Sequence, residues 1–212
     1  MEIPNKDSVV DLGIIIGTNL NFKEHIRNQI NKANMMLGLI KRHFKNLSVG
    51  AFLCLYKSLV RSQLEYAVQV WNPHNVGLIE SLEKVQKRAT KLVPICRNKS
   101  YSERLKILNL PSLYYRRKRG DLILLYNIIN GMCDGCSCPA LTPAPETRTR
   151  GHNNKKLCTR LAHKDCRKYY FSNRVVSDWN SLPQSVVDVP NVLLFKILLD
   201  RSVFGDSIFN HL

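Results

Sequence analysis

Between Glu24 and Phe44 the apolar residues Ile26, Ile30, Ala33, Leu37, Ile40 and Phe44 recur at steps of 4, 3, 4, 3 and 4. That spacing lines them along one stripe of an α-helix and is incompatible with a strand, whose period is two. A helix with a continuous apolar stripe must bury it against another element, so the first constraint is helix-on-helix packing. Later segments repeat it. Ser48 is placed to cap a helix that runs to Trp71 and stops at Asn72-Pro73. A third helix, about Leu78–Val93, carries Leu78, Leu82, Val85, Ala89 and Leu92 on one side, and Pro94 ends it. Ser100 with Glu103 forms a capping box for a short helix through Leu108. Ser112–Asn130 follows, closed by Gly131 at the C′ position.

Two stretches break the pattern. Val9–Ile16 is short and β-branched, bounded by Gly17, Thr18 and Asn19, and predicts one strand or half of a hairpin. Gly13 inside it marks a bend or a close backbone approach. Cys133–Lys156 carries three prolines and three cysteines without periodicity, which predicts an irregular linker. Beyond it Tyr169–Asn180 and Pro190–Arg201 are helical again, with Phe171, Val175, Trp179 and Leu182 on one side. The expected architecture is therefore mainly α. Residues 1–22 form a strand or hairpin, 23–131 a helical bundle, 132–168 a linker and 169–212 a smaller C-terminal helical piece.

Composition bears on partners. The chain has 32 Lys and Arg against 16 Asp and Glu, a formal charge of +16. Such an excess attracts polyanions, chiefly nucleic acid or anionic membrane. The longest apolar run, Val49–Tyr56, is far short of the roughly 20 residues a membrane span needs. The first residues, MEIPNKDSVV, lack the apolar core of a signal peptide. With seven cysteines this points to an intracellular, reducing compartment, nuclear or cytoplasmic, and to free thiols.

Catalytic patterns are hard to find. Cys133 and Cys136 have the CxxC spacing of a zinc knuckle, and Cys158, His163 and Cys166 could close the site. The second half lacks a matching CxxC or HxxxH, so free cysteines in a loop are the simpler expectation. Cys54 and Cys96 lie near apolar helix faces, where cysteine packs as a small core residue. His25, His43, His74 and His211 have no sequence-evident partner. There is no phosphate-binding glycine loop, GxSxG or HExxH, and no two aspartates are adjacent to hold a pair of metal ions.

The basic patches remain. Lys84, Lys87, Arg88 and Lys91 fall on the helix face opposite Leu82, Val85 and Ala89, with Glu80 and Glu83 one turn away as possible ion-pair partners. Arg116, Arg117, Lys118 and Arg119 form the densest run, beside Tyr114 and Tyr115, with only Asp121 near in sequence. Arg148 to Lys168 adds eight more cations. Such arrays favour phosphate backbones through counterion release, and nearby rings can stack on bases. Arg61 is a weaker handle, because Glu65 lies one turn away.

Taken in order, these landmarks resemble a known family. Leu12-Gly13-Ile14 with Phe22-Lys23-Glu24-His25-Ile26 is similar to the segment that follows the catalytic palm in reverse transcriptases of non-LTR (LINE-type, jockey-like) retrotransposons. The likeness continues through KANMMLGLIKRHF, LYKSLVRSQLEYAVQVWNP and IESLEKVQKRATKLV. It runs on through YSERLKILNLPSLYYRRKRGDLILLYNIING and YFSNRVVSDWNSLPQSVV. Ser62 stands where that family commonly has proline, and the Cys133–Cys138 cluster has no counterpart there.

The resemblance implies a thumb and C-terminal region that grips template–primer duplex, with RNA, RNA–DNA duplex and a palm domain as partners. It implies a partial copy of a longer element, starting at an internal methionine. Catalytic aspartates and their magnesium would belong to the upstream palm, so no catalytic residue and no cofactor is expected of this chain. Arg61, Lys84, Lys87, Arg88, Lys91 and Arg116–Arg119 are the expected phosphate contacts. Two alternatives stand beside this: part of an active RNA-directed DNA polymerase completed upstream, or a helical protein–protein module with an incidental basic face.

Overall fold

The hairpin comes first, and it uses both halves of Val9–Ile16. In the computed structural model, which describes residues 7–133, 141–145, 155–205 and 209, β1 (Ser8–Asp11) pairs antiparallel with β2 (Ile14–Gly17). Leu12 and Gly13 make the turn at φ +45° and +79°. Positive φ at both central residues is what a two-residue turn needs to match strand twist. Glycine takes it freely and leucine at a cost. The Tyr66 hydroxyl donates to the Leu12 carbonyl at 2.9 Å and holds the turn in place.

The rest is mainly α-helical, as the periodicity requires. The chain divides into two units, Met1–Tyr115 with Phe209–Leu212, and Arg116–Ile208. The division falls inside the helix that opens at Leu113, and not in the expected linker 132–168. The reason is packing. Leu122, Leu125 and Tyr126 of that helix share a core with Phe171, Val175 and Trp179 from beyond the linker.

In the first unit, α1 (Lys23–His43) buries Ile26, Ala33, Leu37 and Ile40, the stripe read from sequence. Phe44, the last residue of that stripe, lies beyond the helix end and is exposed. The helix expected from Ser48 to Trp71 is not continuous. It is α2 (Val49–Leu55), a π-turn (Tyr56–Arg61), α3 (Ser62–Glu65) and α4 (Val68–Trp71).

The buried residues explain the interruptions. Phe52, Tyr56, Val60, Leu64 and Val68 recur every four positions. In an α-helix each step of four overshoots a full turn by about 40°, so four steps would carry the stripe roughly 160° off the core. The wider π-turn, and Ala67 at φ +49°, return it. Hydroxyls help to open the ladder: Ser58 donates to the Cys54 carbonyl at 2.8 Å, and Ser62 to that of Ser58 at 2.6 Å. A regular helical wheel therefore misplaces Val68, which is buried, and Leu59, Tyr66 and Val70, which are exposed.

Next come α5 (Val76–Thr90), capped by Asn75, and α6 (Tyr101–Leu108), with the Ser100–Glu103 capping box in place. The α7 helix (Leu113–Ile129) starts on a buried carboxylate. Glu83 of α5 accepts from the backbone N–H of Leu113 and Tyr114, both at 3.3 Å, and from the Tyr101 hydroxyl. An anion at a helix N-terminus also satisfies the dipole. Glu83 was expected to pair with lysines on the surface; its carboxylate instead turns inward. Burial first, then Glu83, push the Tyr101 hydroxyl far above its usual pKa, so it stays a donor. The α7 helix ends as expected at Gly131 (φ +67°), with Met132 N–H bonded to Asn127 and Gly131 N–H to Ile128.

The second unit packs α8 (Asp165–Lys168), α9 (Phe171–Asn180), α10 (Gln184–Val187) and α11 (Val192–Leu198) with the body of α7. A second π-turn follows at Leu199–Phe204. Part of the expected linker is tied down here. The Asn180 amide exchanges hydrogen bonds with the Leu157 backbone (2.8 and 3.0 Å), and the Asn173 amide does so with Arg160 (3.1 and 3.2 Å). The deepest ion pair is Arg174 with Asp121, two-pronged at 2.9 and 3.0 Å. Among the described residues no helix is long and apolar enough to cross a membrane.

Candidate nucleic-acid interface

The first unit contains a cleft of about 590 Å³ between the C-terminal part of α1 and that of α5. Its position follows from helix phase. In α1 the stripe residues Leu37 and Ile40 point into the core, so Asn34, Gly38 and Lys41, one row over, form the rim. In α5 the core residues Val85 and Ala89 likewise leave Arg88 and Lys91 facing out. Lys45 follows α1, and Arg97 follows the 3₁₀ turn at Pro94–Cys96.

Among the described residues the lining holds five cations, Lys41, Lys45, Arg88, Lys91 and Arg97, all exposed, and no carboxylate. Among the described residues, no ion pair involves any of the five. Arg88 donates at 3.0 Å to the Asn34 side-chain oxygen, a neutral partner that orients the guanidinium and leaves its charge uncompensated. Basic residues near helix C-termini can simply answer the dipole. Two helix ends supply only about one negative charge between them, which leaves an excess of about four. Leu37 and Leu92 make the lining partly apolar, and Phe44, 46% exposed, adds a ring.

The residues singled out in the sequence separate into different roles. Arg88 and Lys91 lie in the cleft. Lys84 is exposed one turn before Arg88, outside the lining. Lys87 is half-buried with its ammonium 5.2 Å from the centre of the Tyr101 ring. Arg61 pairs with Glu65 at 3.6 Å, the neutralisation its spacing suggested.

The dense run is engaged within the second unit. Arg117 is buried, Lys118 meets Asp178 at 3.2 Å, and Arg119 grips both oxygens of Asp200 at 2.6 and 3.0 Å. Arg116 is half-buried. Asp121, the only acid near the run in sequence, turns to Arg174 instead. Of the later cations, Arg148 and Arg150 lie outside the described residues.

Cys133, Cys158 and Cys166 are free thiols, and Cys136 lies outside the described residues. Among the described residues no three metal-ligating side chains come together. Cys96 is buried as expected, with its thiol pKa raised by that burial; Cys54 is exposed, on the outward side of α2. His25 is buried and structural. Its Nδ1 accepts from Ile15 N–H at 3.2 Å, and its ring meets Trp71 edge-on at 5.4 Å. The cleft residues that sequence reasoning passed over are Lys41, Phe44, Lys45 and Arg97. Their signal was a row beside the apolar stripe of α1: Asn34, Gly38, Lys41 and Lys45 at steps of 4, 3 and 4.

Compared with known proteins, the chain is similar to B0403.1, an uncharacterized protein of Caenorhabditis elegans, with 32% identity over 128 residues. That stretch covers 59% of this chain and 65% of the relative, just under two thirds of its length. No family model matches the chain. No solved structure matches it.

Proposed function

We propose that this chain binds nucleic acid through the phosphate backbone, as a thumb-like portion of a reverse transcriptase of the non-LTR retrotransposon kind, and is not catalytic alone. The observation that carries the proposal is the cleft whose lining, among the described residues, has five exposed cations and no carboxylate. RNA and RNA–DNA duplex are the proposed partners, and such contacts hold the backbone without reading its sequence. Within the Arg116–Arg119 run, Lys118 and Arg119 also pair with Asp178 and Asp200 of the second unit. The hairpin's exposed Val9, Val10 and Leu12 are the proposed surface for a palm domain. Within a longer polymerase that palm would supply the catalytic aspartates and magnesium.

The test is fluorescence anisotropy on an RNA–DNA duplex with a single-stranded overhang, across a salt series. Three to five phosphate contacts give a slope of log K on log salt of about −3 to −4.5. Lys41→Gln with Arg88→Gln should flatten the slope by roughly 1.5 to 2. Binding that is absent or indifferent to salt would overturn the proposal.

A further inference from the structure

We infer that the cleft of the first unit seats one unpaired nucleotide of a single strand, its base against Phe44 and its phosphates on the surrounding cations; this rests on the backbone-binding reading above. Size argues first. The volume, about 590 Å³, lies within the usual range of small-ligand pockets, roughly 300–1,000 Å³. Helices in packing contact have axes only about 8–10 Å apart. A groove on the surface of two such helices can take in a single base, while a duplex could touch only its rim.

The lining argues next. A site for bare phosphate needs no apolar wall, and a site for an apolar chain needs no array of cations. This cleft combines Leu37, Leu92 and an exposed phenylalanine ring with five positive side chains. The ligand that matches both is an aromatic base joined to phosphate. Aromatic rings accept any base by stacking, so such a site tolerates every sequence.

Gly38 supplies a third observation. It sits inside α1, where glycine costs about 1 kcal/mol relative to alanine. Its backbone is not left-handed, and a Cβ built on it would meet nothing within 4 Å. Neither backbone geometry nor packing requires glycine here. Its effect is to leave one wall of the cleft bare, which a flat ring needs in order to enter.

The experiment uses the full chain and three probes: a 5′-fluorescein-labelled single-stranded RNA, the blunt RNA–DNA duplex of the same sequence, and AMP as competitor. The single strand should bind at least tenfold tighter than the blunt duplex. Phe44→Ala should weaken the single strand by about 5- to 100-fold, the loss of one stacked base, and weaken the duplex by less. Gly38→Leu should do the same by filling the bare wall, and Gly38→Ala should weaken the single strand by less. Circular dichroism checks that the variants stay helical. The comparison of single strand with duplex needs no variant.

Equal affinity for single strand and duplex overturns the inference, and if that binding falls with salt the backbone reading survives. No salt-dependent binding to either probe overturns both. AMP competing as strongly as the strand would move the site to free nucleotides and overturn the assignment to a strand.

Discussion

Removing the Asp121 carboxylate should unfold the second unit far more readily than any surface change. The side chains of Asp121 and Arg174 are 7% and 13% exposed, and the two-pronged contact is 2.9 and 3.0 Å. Asp121→Ala leaves the Arg174 guanidinium without that partner where water reaches it poorly. Breaking one side of a buried pair typically costs about 3–5 kcal/mol, against a total domain stability of about 5–15 kcal/mol. With a urea slope of about 1.5 kcal/mol per molar for a unit this size, the midpoint should fall by roughly 2–3 M. The chain has two tryptophans, Trp71 in the first unit and Trp179 in the second, both buried. Urea titration followed by emission in a Trp71→Phe background therefore reports the second unit alone. The paired change Asp121→Leu with Arg174→Met should recover much of the loss, because a well-packed apolar pair can replace a buried ionic one. A midpoint shift below about 0.5 M for Asp121→Ala would refute the reasoning, since it would mean that Arg174 is resolvated or re-paired at little cost.

Two more predictions concern the first unit. Burial first, then Lys32, hold the His25 pKa below its ordinary value of 6.5. The unfolded chain thus takes up a proton that the folded chain refuses, and stability falls as pH drops below 6.5 until the folded pKa is reached. The slope should approach 1.4 kcal/mol per pH unit at most. It should vanish in His25→Phe, as followed by Trp71 emission between pH 7.5 and 5.5. Glu83→Ala removes the acceptor of the Tyr101 hydroxyl and of two backbone N–H groups at the start of α7. Thermal melting should show a loss of about 3 kcal/mol or more, each of the three unpaired donors costing about 1–3. Glu83→Gln should lose less.

Much of the helical framework was legible because its signals are local. The α1 stripe, the Ser48 cap, the Ser100–Glu103 box and the Gly131 C′ residue each rest on residues within one or two turns. What escaped was set by distant partners. The course of Val49–Trp71 depends on which side chains the core accepts, so a regular wheel could not find the π-turn or the reversal at Ala67. Glu83 read as a surface acid because its true partners, Tyr101, Leu113 and Tyr114, lie 18 to 31 residues away. The candidate site was half visible. Arg88 and Lys91 were found on their own helix, but Lys41 and Lys45 join them only through the packing of α1 on α5. The partners of Lys118 and Arg119, Asp178 and Asp200, lie 60 and 81 residues away, beyond what local charge density can show.

The amides of Asn173 and Asn180 complete the main-chain hydrogen bonding of residues 155–161, whose other edge meets Thr142–Ala144 in an isolated antiparallel bridge. Those two side chains recognise only N–H and C=O groups, which nearly every residue type offers. Apart from Leu157, which must fill the core, Lys155, which pairs with Asp188, and Arg160, which donates to Thr142, the segment is anchored by its main chain rather than by its identities. Positions such as Lys156 can therefore carry a cationic load that could be rewritten without moving the fold that displays it.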